Sequence, residues 1–233
     1  MPLWTDEESD EQPRVPLSRR RVLRAAVELA DRAGLDALTM RRVAQELGVE
    51  PMSLYHHVAN KEAILDGVVE MVIGEILGAV EVAEGPDPAG DWQAALRGRI
   101  LAAREVLLRH KWAPGVIQTR SSLSEAAIAY YEGVLGILRA GGFTYDLAHH
   151  ALHALGSRAM GFTQELFEPD DPAGDMDEAM MEQMSMKYPH LAGMMAAIAH
   201  EPPETTLSWC DDNTEFSFAL DLILEGLERR RLG

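Results

Sequence analysis

The sequence predicts an all-α protein, with a small N-terminal helical unit followed by a larger helical body. Three observations carry that reading. Apolar residues recur at helical spacing through most of the chain, and no run alternates with the period of a strand. Ser18, Thr39 and Asn60, all good N-caps, stand just before periodic segments. Gly34 and Gly48 stand just after two of them, where a helix commonly ends.

The first helix is expected over residues 18–33, capped by Ser18, with Val22, Ala25, Ala26, Leu29 and Ala33 on one face. Gly34 closes it in a left-handed conformation. Thr39 caps a short second helix carrying Met40, Val43, Ala44 and Leu47, and Gly48 breaks it. A third helix over 51–57 starts with Pro51, since proline is tolerated in a first turn. Asn60 caps a fourth, over 61–82, whose apolar stripe is wide enough to pack on both the small unit and the body. Gly85-Pro86-Asp87-Pro88-Ala89-Gly90 is the clearest boundary signal. Beyond it, helices are expected over about 91–110, 114–120, 124–140 and 145–167. A loop follows over 168–175, then one or two helices between 176 and 200, and a last helix over 213–231.

The domain division read from this pattern is a disordered acidic tail (1–15), a helix-turn-helix unit (16–76, motif about 39–58), a connection (77–90) and a C-terminal body (91–233). At 233 residues, 47% apolar and 25% charged, the chain is ordinary for a soluble globular protein. It offers no long uncharged apolar run for a membrane and no signal-peptide pattern. Cys210 is the one cysteine, so an intrachain disulfide is ruled out and a reducing cytoplasm is the expected setting. The net charge of −17 argues against general coating of nucleic acid, but its distribution matters more than its sum. Residues 14–62 hold nine basic against six acidic side chains, a basic segment on an acidic body.

That basic segment contains the most informative stretch. In residues 39–58 Ala44 precedes Gly48 by four, a small residue where two helices cross closely and a glycine where the turn needs positive φ. Val43, Leu47, Val49 and Leu54 form a small core. Met52, Ser53, Tyr55, His56 and His57 cannot all be buried beside them, and they suit contacts to phosphates and base edges. Arg41 and Arg42 start the second helix and Lys61 the fourth, against the helix dipole, so each calls for an anionic partner. The alternative is a helical hairpin with Tyr and His packed on the body and arginines solvated. DNA binding is the favoured reading on spacing.

Taken together, Ala25-Ala26-Val27-Glu28-Leu29, Gly34-Leu35-Asp36-Ala37-Leu38-Thr39, Val43-Ala44-Gln45-Glu46-Leu47-Gly48-Val49, and Leu54-Tyr55-His56-His57-Val58 with Asn60-Lys61 resemble the N-terminal domain of the tetracycline-repressor (TetR) family. The resemblance covers about a quarter of the chain; the final helix resembles the family's C-terminal domain in general plan. It implies a homodimeric, all-helical repressor that binds a palindromic DNA operator and leaves it when a small molecule fills the C-terminal domain. By matching position, Thr39, Arg41 and Arg42 would contact backbone or groove, Pro51, Met52, Ser53, Tyr55 and His57 would face DNA, and Lys61 would clamp a phosphate. His56 stands where the family often has Trp or Phe.

In the body, Trp112, His149, His153, Met160, Phe162, Met184 and Trp209 are the candidates for an effector pocket, although core packing accounts for aromatics and methionines nearly as well. His149, His150 and His153 include an i,i+4 pair, but with no Cys or matched carboxylate a core, pocket or interface role is favoured over metal. Asp170, Asp171, Asp175 and Asp177 lack a calcium-loop spacing. For a dimer interface the candidates are the small Ala151 and Ala154 and the stripe Phe216, Leu220, Ile223, Leu224 and Leu227. Phe218, Ala219 and Leu222 extend apolar surface to another face of the same helix, which is either central in its domain or shared with a partner. An all-α enzyme using the histidines or Glu165, and an adaptor that has lost DNA binding, are the rivals. No nucleophile elbow, Walker loop, His-Glu-Xaa-Xaa-His motif or dinucleotide fingerprint is present, so no cofactor is expected.

Overall fold

A computed structural model describes residues 16–83, 85–161, 183, 185–198 and 212–233. The regular elements among them are helical: α1 (Arg19–Ala33), a 3-10 turn (Leu35–Ala37), α2 (Met40–Leu47), α3 (Pro51–Leu54), α4 (Lys61–Val82), α5 (Trp92–Arg109), α6 (Ala113–Thr119), α7 (Glu125–Ala140), α8 (Tyr145–Gly161), α9 (Pro189–Ile198) and α10 (Asp212–Leu232).

Side-chain caps set most of the starts. Ser18 accepts from the Arg21 N–H, Thr39 from Arg42, Asn60 from Ala63, Asp91 from Ala94 and Ser124 from Ala127. Each satisfies one of the orphan donors of a first turn, a contribution of about 1 kcal/mol. Gly48 has φ 65 and ψ 34, the left-handed cap, and its N–H and that of Val49 both reach the Ala44 carbonyl. Gly34 differs from expectation: its φ is 76 but its ψ is 167, so it leads extended into the 3-10 turn instead of closing a left-handed cap. The third helix is also shorter than expected. It ends at Leu54, and residues 55–57 continue as a turn in which His57 N–H bonds the Leu54 carbonyl at 2.8 Å. Val58, which is buried, also donates its N–H to the Leu54 carbonyl, at 2.9 Å.

Two main cores result. One joins α1, α2, α3 and the first half of α4 through Val22, Leu29, Leu38, Val43, Leu54, Ile64 and Val68, and it reaches Val116 of α6 and Ala127 of α7. The other joins α5, α7, α8 and α10 through Leu96, Leu138, Phe143, Ala151, Phe216 and Leu220. A smaller cluster of Val72, Ile76, Val106 and Ala113 sits between them. Thus α4 packs on α1 at one end and on α5, α6 and α7 at the other, as its wide apolar stripe requires. It has three interior glycines. Gly67 lies against Leu23, whereas Gly74 and Gly78 face open space.

The stripe expected to meet a partner instead closes the chain's own core. Phe216, Leu220, Leu224 and Leu227 of α10 and Ala151 of α8 are buried within the protomer, while Ile223 is half-buried and Ala154 exposed. The second apolar face of α10 is the open one, with Phe218 62% and Leu222 50% exposed. Periodicity located both stripes, but α5 and α8 are what select the inward one. Trp92 Nε1 donates to Glu228 at 3.0 Å, Gln93 to the Leu224 carbonyl and Arg97 to Asp221 at 2.8 Å, which orients α10 on α5.

Candidate nucleic-acid interface

The interface is built by three helix starts. The caps at Thr39 and Asn60 fix α2 and α4, and the αL turn at Gly48 sets α3 across α2 with Ala44, 1% exposed, at the crossing. Leu54 is fully buried, so its neighbours in the sequence project outward. Met52 is 71% exposed and Tyr55 47%; His56 is exposed, and Pro51, Ser53 and His57 are half-buried. Thr39, Arg41, Arg42 and Lys61 are also exposed. Among the described residues Arg41, Arg42 and Lys61 make no ion pair, whereas neighbouring cations do: Arg32 holds Glu46 at 2.6 Å and Arg19 lies 3.6 Å from Glu70. Unpaired guanidinium and ammonium groups at helix N-termini, against the dipole, are ready for phosphate.

A second site lies in the body. An apolar cavity of about 110 Å³ is enclosed by α4 (Ile73, Ile76), α5 (Ile100, Arg104), α7 (Tyr130, Val134) and α8 (Leu155, Gly156). Arg104 is the charged member of this wall; it donates to Asn213 Oδ1 at 2.5 Å and its guanidinium stacks 4.7 Å over Phe216. The Tyr130 phenol is pushed up to about 12, chiefly by burial against which the nearby Arg99 works, so it stays a hydrogen-bond donor at ordinary pH.

Of the candidates taken from the sequence for this pocket, the three whose side chains are described, Trp112, His149 and His153, do not line it. Trp112 packs between the first core and the small cluster, and its indole N–H donates to Asp31 at 2.6 Å. His149 and His153 are exposed on the far side of α8, with their rings edge to face at 4.6 Å. Their α8 face points outward because Ala148, Ala151 and Leu155 take the inner one. Phe162, Met184 and Trp209 lie outside the described residues, as does the Met160 side chain. Among the described residues no group of three or more His, Cys, Asp or Glu is placed to hold a metal. Tyr130, Val134, Leu155 and Gly156 were missed; their i,i+4 and i,i+1 spacing on α7 and α8 carries the signal but does not distinguish cavity wall from core.

Residues 22–68 match the family model of bacterial regulatory proteins of the tetR family, and residues 84–231 match the tetracyclin repressor-like C-terminal domain. The transcriptional repressor DrrR1 of Streptomyces coeruleorubidus is 31% identical, covering 97% of this chain and 83% of its own. A transcriptional regulator of Saccharopolyspora erythraea is 32% identical over 84% of this chain and 82% of its own. The structure of ActR from Streptomyces coelicolor in complex with actinorhodin superposes with a TM-score of 0.69, at 25% identity, covering 93% of this chain and 99% of that one. With a helix-turn-helix at one end, a helical body at the other and family models covering both, the chain belongs to the tetR family of bacterial transcriptional regulators.

Proposed function

We propose that this regulator is a homodimeric repressor in which residues 16–76 bind operator DNA, 77–90 connect, and 91–233 hold a small effector and the dimer contact. One observation carries the coupling. A single helix, α4, starts with Lys61 at the DNA-facing end and places Ile73 and Ile76 in the cavity wall, roughly 18–23 Å further along its axis. An effector that repacks the cavity therefore acts on the helix that sets the recognition surface. Coupling of this kind is typically about 1–3 kcal/mol, a change of roughly 5- to 150-fold in operator affinity.

The wall chemistry supports a mainly apolar effector carrying a hydrogen-bond acceptor for the Tyr130 hydroxyl. ActR, which binds actinorhodin in its complex, lends the same kind of occupant by similarity of fold. The exposed Phe218 and Leu222 on α10, together with Ala154 on α8, are the surface assigned to the second copy. A two-fold pair then presents two recognition units to a two-fold operator in the bacterial cytoplasm.

The test is footprinting and fluorescence anisotropy on the DNA upstream of its own gene. Protection of a palindromic site is expected, with affinity falling steeply with salt. Arg42→Ala combined with Tyr55→Ala should abolish protection while the protein stays folded and dimeric. Absence of binding at low salt, or binding untouched by the double change, would overturn the reading.

A further inference from the structure

Arg120 caps the end of α6 in the body, yet its side chain reaches back to the start of α4. Its Nη1 donates to Glu62 Oε2 at 2.8 Å and to Asp66 Oδ1 at 3.2 Å, across 58 and 54 residues of sequence. The rest of the guanidinium is fixed from behind. Nε and Nη2 both donate to Thr119 Oγ1, at 3.3 and 3.1 Å, and that hydroxyl donates in turn to the Val116 carbonyl at 2.8 Å. Buried Ala113 and Val116 anchor α6 beneath it. The Arg120 side chain is only 17% exposed, whereas its two carboxylate partners are 68% and 61% exposed. A guanidinium mounted in this way forms its pairs without freezing a free side chain, the usual cost of a surface ion pair.

Glu62 and Asp66 stand where anions are costly to the DNA-facing end. They are four residues apart on one face of α4, where like charges repel. They also follow Lys61, exposed at the helix start and assigned above to a phosphate. The helical rise places them about 1.5 and 7.5 Å along the axis from Lys61, within roughly one Debye length at physiological salt. Left to swing freely, two carboxylates there would repel the phosphate that Lys61 is to hold. Other charges do not offset them. Arg19 of α1 is taken by Glu70, one turn further along α4, at 3.6 Å. Glu125, at the start of α7, adds a carboxylate with no ion pair among the described residues.

We propose that Arg120 is a positioning residue for DNA binding: it turns Glu62 and Asp66 toward the body and offsets their charge, so that the start of α4 accepts a phosphate at Lys61. A residue of the body thereby tunes the DNA-facing end through charge, without touching DNA. The inference rests on the DNA-binding reading above.

The experiment measures anisotropy on the same upstream DNA for four proteins: wild type, Arg120→Gln, Glu62→Ala with Asp66→Ala, and all three changes together. Arg120→Gln should bind about fivefold or more weakly at ~0.1 M salt, with the deficit shrinking toward ~0.5 M as screening shortens the repulsion. The carboxylate variant should bind at least as tightly as wild type. In its background Arg120→Gln should cost less than about twofold, the non-additivity expected of side chains that act through one another. A simple tether between α6 and α4 predicts the opposite sign, because removing the carboxylates cuts it as surely as removing Arg120. Weaker binding by the carboxylate variant would therefore overturn the proposal. So would an equal loss from Arg120→Gln in both backgrounds, the mark of a direct phosphate contact, or no loss in either. Should Arg120→Gln fail to fold, the carboxylate variant decides alone: equal or tighter binding upholds the proposal and weaker binding overturns it. If wild type does not bind the DNA at low salt, the DNA-binding reading falls and this inference falls with it.

Discussion

Thr39 caps α2 and Gly48 turns the chain into α3, so these two residues aim the recognition surface. Replacing Gly48 with Ala forces a side chain into the left-handed region and should cost about 1 kcal/mol, read as a lower melting temperature, with a further loss of operator affinity because α3 is aimed by that turn. Lys61→Ala should leave the fold intact and lower the slope of log affinity against log salt by about one, the signature of a single phosphate contact. Tyr130 provides a pH test with a definite sign. Its phenol titrates near 12 in the folded protein and near 10 unfolded, so its contribution is intact below about 10 and is lost as pH climbs through 12. Absorbance titration near 295 nm should show one of the tyrosines ionising well after the others, and Tyr130→Phe should remove that late step. Of these residues, Thr39, Lys61 and the Ala44–Gly48 spacing were legible in the sequence, because their signals are local. Tyr130 and Arg120 were not: Arg120 meets Glu62 and Asp66 across 58 and 54 residues, and no spacing announces such a meeting.

At the scale of the element, starts were readable and faces were not. Ser18, Thr39, Asn60 and Ser124 all cap the helices they precede, because a cap is a contact between residues three apart. The end of α3 is not legible in the sequence because no helix breaker marks it; residues 55–57 leave the helix as a turn closed on the Leu54 carbonyl. On α10 two apolar stripes are visible in the sequence, but a single sequence does not say which one its neighbours cover; α5 and α8 cover the one expected to meet the partner. Phe218 and Leu222 now carry the dimer proposal. Leu222→Glu with Phe218→Asp should give a folded monomer by light scattering, with unchanged helical content and at least tenfold weaker operator binding. Leu220→Ala should behave oppositely, costing about 2–5 kcal/mol of stability from inside the protomer. A dimer that survives the first change would remove α10 from the interface.

For the whole molecule, charge and connectivity fit one division of labour. Residues 14–62, with the side chains proposed to face DNA, carry a net positive charge, and the acidic remainder of a −17 chain disfavours contact of the body with the duplex. The first core shares α4 with the small cluster, and that cluster shares α5 with the second core, so a shift of one half disturbs packing that leads to the other. That helix also contains Gly74 and Gly78, which face open space and pack against nothing within 4 Å. Glycine inside a helix costs about 0.5–1 kcal/mol relative to alanine, so two such positions leave the connecting rod softer than its length implies. Ala at both would fit without a clash and raise the melting temperature. The expected penalty is in sensing: a stiffer rod binds its operator as well or better and answers an effector less. Anyone adapting this protein as a biosensor would therefore meet a trade between shelf life and dynamic range, set by two hydrogen atoms where methyl groups could stand.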